Sequence, residues 1–240
     1  MSSTDTSPQV LTVQSATLPP MAFRLPPGMH AIEVSLDAEE RAEAAQRLVR
    51  DIYPHGSEPL WGTMGALYSA MADALLSDGI AFFGIGLYAI EDSGGVAHCS
   101  LTIAVCESGD TAPDVVAQGI RAALLGDPLR EVSWLDLPCG PAVSAITFRK
   151  LLVDGAYTES GADAELVMGQ IQVHIPFPTG PYTAVVTLDT ASVEQWDEFS
   201  QALGGIVRSV EFPAREPLAS GSLAAESPAS EPPAPGEVTY

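Results

Sequence analysis

The chain has 240 residues, 46% of them hydrophobic, enough to bury a substantial core in one large domain or two small ones. Ten basic residues against 31 acidic ones give a net charge of −21. That balance argues against nucleic acid, whose phosphates need clustered Lys and Arg, and against anionic membrane surfaces.

The first residues, "MSSTDTSPQVLTVQSATLPP", have neither the basic start nor the apolar run of a secretory signal. No apolar run approaches the ~18 residues that would span a bilayer. Cys99, Cys106 and Cys139 are an odd number without C-x-x-C, the pattern of a reducing compartment. A cytoplasmic protein without membrane insertion is the expectation. Residues 1–20 read as a flexible segment, 21–212 as one folded domain, and 213–240, rich in Pro, Ala, Ser and Glu, as a disordered tail.

In chain order, 28–35 reads as a short strand. Residues 37–52 form an amphipathic helix with a capping box from Asp37 to Glu40 and a stripe at Ala38, Ala42, Ala45, Leu48, Val49 and Ile52. A second helix over about 59–77 carries Leu60, Trp61, Met64, Leu67, Tyr68, Met71, Leu75 and Leu76. Its Met64/Met71 stripe suits core packing better than an adaptable partner surface. "GIAFFGIGLYAIE" (79–91) is apolar on both alternating faces, as a central strand should be. It turns back into 96–106, where Ala97, Cys99, Leu101, Ile103 and Val105 share one face and His98, Ser100 and Thr102 the other.

Pro113 opens a helix to about Leu125. Strands at 131–137 and 142–153 flank the turn "PCGP", and strands at about 165–175 and 182–189 follow a loop at 154–164. A last helix starts at Ser192, with Gln195 completing a second capping box, and "SVEF" (209–212) closes as a short strand. Short turns join most strands. The expected architecture is therefore α+β, a largely antiparallel sheet of about six or seven strands flanked by helices.

Chemistry is sparse. In "QIQVHIPFPTGPYTAVVTLD" (170–189), alternation groups His174 with Gln170 and Gln172 on a polar, solvent-facing side. Matching polar faces requires even numbers opposite odd, and His174 opposite Thr183 meets that rule. "GIGLYA" (84–89) imitates a dinucleotide fingerprint but lies inside a strand, where its glycines serve close packing. His98 and Ser100 are about 7 Å apart along a strand, long for a nucleophile and its base. Asp154, Glu159, Asp163 and Glu165 lack the order of a calcium loop, and Cys139 has no activating neighbour in sequence.

"TAVVTLDTASVEQWDEFSQALGGIVRSVEF" resembles the C-terminal half of Mog1/PsbP-like domains in actinobacterial proteins, some near type VII secretion genes. The resemblance rests on Trp196-Asp197-Glu198-Phe199 and Ser209-Val210-Glu211-Phe212, and on "FRLPPGMHAIEV" as an opening strand. It implies an antiparallel sheet flanked by helices and protein-binding roles, with no catalytic residues to carry over. The lipidated Cys of secreted relatives is absent here. The leading expectation is a non-enzymatic protein that binds or assembles other proteins, secretion components among them, with no cofactor, no metal and no catalytic residue. The alternative is a hydrolase or small-ligand binder using His98, Ser100 or His174, and a homo-oligomer is a third reading.

Overall fold

The computed structural model describes residues 9–13, 19–32, 37–90, 95–158 and 160–213. Among the described residues are nine strands: β1 (Gln9–Val13), β2 (Met21–Leu25), β3 (Met29–Ile32), β4 (Ile80–Ala89), β5 (Val96–Glu107), β6 (Glu131–Leu137), β7 (Gly140–Val153), β8 (Ala164–Pro176) and β9 (Tyr182–Thr190). Four α-helices accompany them: α1 (Ala38–Ile52), α2 (Glu58–Ser77), α3 (Pro113–Leu124) and α4 (Trp196–Arg208). Seven strands form one sheet in the order β3-β4-β5-β9-β8-β7-β6, with every neighbouring pair antiparallel. The fold is α+β, as the short turns required.

Each helix begins where sequence chemistry permits. Asp37 caps α1, accepting from the N–H groups of Glu39 and Glu40 at 3.0 Å, while Glu40 reaches back to the Asp37 N–H at 3.4 Å. Pro113 occupies the first turn of α3, where its missing N–H leaves no bond unmade. The second capping box does not form. The Ser192 hydroxyl accepts the His98 N–H at 3.1 Å instead, so Ser192 opens a 3-10 turn (Val193–Gln195) and α4 begins at Trp196.

One face of the sheet carries the main core. Leu101, Ile103, Ile171, Val173, Ile175, Val186 and Leu188 meet Phe199, Leu203, Ile206 and Val207 of α4. Met21, Phe23 and Leu25 of β2 complete this layer, with Phe23 edge-on to Phe82 at 5.0 Å. Within the stretch expected to be flexible, Gln9–Val13 pairs with β2. Apart from Pro213, the expected disordered tail lies outside the described residues. "SVEF" contributes a single bridge, Ala22 to Glu211, in place of a strand.

The opposite face has two separate helical covers. Ile32 and Phe83, with Ile85 beside them, pack under Leu48 of α1 and Ala72 of α2. At the other end α3 lies over β6, β7 and β8, above the fully buried Val143 and the nearly buried Ala145. A single row of cross-strand partners shows the plan: Ile32, Phe83, Thr102, Thr187, Gln172, Ala145, Val132. Its apolar ends lie where the helices pack, and its three polar members fall between them.

The long hairpin departs from expectation in register. His174 faces Val185, and Pro176 faces Thr183, two residues away from the His174–Thr183 match. The parity rule holds, so the faces are right, but the strands run further. Phe177, 1% exposed, explains it. Its ring packs on Phe212 at 4.4 Å and its N–H donates to the Tyr182 carbonyl at 2.8 Å, drawing the turn tight.

Candidate functional site

The three polar candidates of the sheet are not brought together. His174 faces Val185, which faces Ala104, whereas Ser100 faces Asp189. Four residues and two strands therefore separate His174 from Ser100, roughly 16 Å. Ser100 and His98 share a face, but the partner of His98 is Ser192, whose hydroxyl lies 3.4 Å from Nδ1. Ser192 was not legible as a partner, because it lies 94 residues away and a capping role accounted for it locally.

That Ser192–His98 contact belongs to a clamp. Thr190 donates its hydroxyl to the His98 carbonyl at 2.7 Å and accepts the Ser192 N–H at 2.9 Å, tying the end of β9 to β5. The neighbouring carboxylate, Asp189, accepts from the Gln170 amide at 2.8 Å and has Arg149 at 3.9 Å. It is therefore committed away from the imidazole, and the group lacks the base-orienting bond of a nucleophilic triad.

His174 is not on a solvent-facing side. Its residue as a whole is half-buried, but Nε2 is sealed and has no hydrogen-bond partner. Burial, with the Arg130 charge adding to it, lowers the imidazole pKa, so the ring is held neutral. The cause is that α3 covers the β7–β8 surface that alternation alone would leave open.

The glycines of "GIGLYA" make room in the core. A Cβ on Gly86 would lie 2.6 Å from Cys99 Sγ and 2.8 Å from the Tyr88 ring. Burial pushes Tyr88 up to about 12 and Cys99 up to about 11, so both stay protonated. Cys99, Cys106 and Cys139 are all free, and burial also raises the Cys139 thiol pKa, the opposite of activation. The acidic loop uses its carboxylates internally. Asp154 accepts from Ala156 N–H, Asp163 from Gly155 N–H, and Glu165 pairs with Lys150 at 2.7 Å. Glu159 lies outside the described residues.

The helical hairpin of α1 and α2 is where the surface departs most from a solvated one. Among its 20 residues α2 has two carboxylates, Glu58 and Asp73, and no Lys or Arg, and only Gly65 and Ala72 are buried. Gly65 allows close approach, since a Cβ there would run into Gln46 of α1. Tyr68, Met71 and Leu75 are partly covered, while Leu60, Leu67 and Leu76 are 39, 57 and 45% exposed. The expected core role of this helix is met on one side only. Leu60, Met64 and Leu67 recur at the spacing of one helix face, which runs into the covered side at Met71. On the other flank, a groove of about 930 Å³ between the helices is lined by small residues such as Gly65, Ala66 and Ala70 and by the charged Glu43, Arg47, Arg50 and Asp73.

Among the described residues no helix is long and apolar enough to cross a membrane. Comparisons of the chain with protein-family models, curated proteins and solved structures found no match.

Proposed function

We propose that this protein is a non-enzymatic, cytoplasmic binding or assembly factor whose working surface is α2. The observation that carries the reading is a 20-residue helix, apolar on more sides than its own fold covers. A helix of that composition is ordinarily buried on those sides. The Leu60, Met64 and Leu67 stripe suits an amphipathic helix of a partner protein, with Met64 supplying adaptable contacts. Its lack of basic residues agrees with the acidic chain in disfavouring anionic surfaces. The likeness of 183–212 to Mog1/PsbP-like domains supports the same class of function and proposes secretion components as the partner class.

The test is partner capture from the native cytoplasm, repeated with the purified partner at several concentrations. Leu67→Glu places a charge on the exposed stripe and leaves the fold nearly unchanged, since exposed positions shift stability by roughly 0.5 kcal/mol or less. Saturable binding by the wild type, weakened tenfold or more in the variant, is the expected result. A partner bound equally by both would remove α2 from the account.

A further inference from the structure

We propose that the free edge of β7, residues 147–153, pairs antiparallel with the same edge of a second copy about a two-fold axis at Lys150. β6 covers β7 only from Gly140 to Ile146, whereas β8 accompanies it from Val143 to Val153. Among the described residues, seven residues of β7 therefore present one open row of N–H and C=O groups. On the far side of this projecting ladder β8 is flanked by the turn Val193–Gln195, so the two edges are not equivalent.

The open edge lacks most devices that protect such rows. It is long, holds no Pro, and pairs with β8 without a register shift. Phe148, Leu151 and Leu152 on it are 52, 46 and 76% exposed, and Leu129, two residues before β6 begins, is 79% exposed. The protective charges that remain are Lys150, engaged by Glu165 at 2.7 Å, and Arg149, which lies 3.9 Å from Asp189, both within the same copy.

Hydrogen-bond geometry and chain length select the register. In an antiparallel pair, residues whose backbone groups point outward must face each other, so even numbers meet even and odd meet odd. Residue 150 opposite 150 then pairs all seven open residues of each copy. A shift of two one way drives Val153 into β6, and the other way sets Phe148 against Asp154. In the chosen register the chain leaves the strand at Asp154, where the 3-10 turn Gly155–Tyr157 begins, just short of Glu131 in the second copy. Each ladder fills the step left by the other. Phe148 faces Leu152 twice on one side, and Thr147 faces Val153 twice on the other. Arg149 faces Leu151 twice on that second side as well. The unfavourable contacts are the opposing Lys150 pair, moderated by Glu165 on each side, and the approach of Asp154 to Glu131 of the second copy. This occupant is independent of the helix proposed to bind other proteins, so either can fail alone.

Sedimentation of the full chain over a range of concentrations, with cysteine cross-linking, tests the pairing. Directly opposed Cα atoms about 4.5–5.5 Å apart suit a disulfide. In a C106S/C139S background, Lys150→Cys is expected to cross-link between chains under oxidised glutathione at least tenfold faster than Val115→Cys on exposed α3. Leu152→Lys should weaken the dimer tenfold or more with an unchanged circular-dichroism spectrum. Glu165→Gln should weaken it several-fold, and Lys150→Val should strengthen it. A monomer up to about 1 mM would overturn the proposal. So would a dimer indifferent to Leu152→Lys in which position 150 cross-links no faster than position 115.

Discussion

At Gly86 the core leaves no room for a side chain. Gly86→Ala would force the Cys99 sulfur and the Tyr88 ring to move, because the new methyl would overlap both. Overpacking of this kind costs ~1–3 kcal/mol, to be read as a lower urea midpoint. His174 makes a second prediction at this scale. Its folded pKa is lowered by burial and by the Arg130 charge, so the unfolded chain takes up a proton that the folded one refuses. Stability should fall as pH drops through about 6.5, the ordinary imidazole value, and level off below the folded pKa. The slope due to this one group is at most ~1.4 kcal/mol per pH unit. In denaturant melts from pH 8 to pH 5, His174→Gln should flatten that part of the profile. An unchanged profile would mean that Nε2 is not sealed. Local sequence gave no warning of this burial, since α3, 50 to 60 residues away, creates it.

Among the elements, period-two and helical patterns were legible wherever one side of an element faces a core. The faces of β5, the stripe and capping box of α1, and the β6–β7 turn follow from spacing alone. What escaped depends on distant partners. β2 was not read as a strand of its own, because Phe23 and Leu25 find their core against distant elements, α4 among them. The β8–β9 register was set by Phe177, whose burial against Phe212 cannot be read from the hairpin itself. Phe177→Ala should cost ~3–5 kcal/mol and loosen the turn, which hydrogen exchange at the Phe177 N–H would register directly. For α2, composition announced an apolar helix but not how little of it the chain would cover. His98, Ser100 and His174 were legible as polar face residues, and their separation was not, because it depends on where β9 and β8 stand in the sheet.

For the molecule as a whole, one face of the sheet is sealed by α4 and the β1–β2 ribbon, and the other is divided between α1–α2 and α3. In the polar strip between those covers Gln170 is engaged with Asp189 and His98 with Ser192. Charge of −21 over the whole chain keeps copies and other acidic bodies apart, so association must come from local apolar contacts. The exposed side of α2 and the open edge of β7 are the two such contacts proposed, one for a different protein and one for a second copy. The central claim is that recognition belongs to α2 and not to the polar residues of the sheet. One side-by-side measurement tests it: the affinity for the captured partner of wild type, of Leu60→Glu with Leu67→Glu, and of His98→Ala, Ser100→Ala and His174→Ala combined. The account predicts that the helix variant loses binding and the sheet variant retains it. Retention by the helix variant with loss by a folded sheet variant would contradict it.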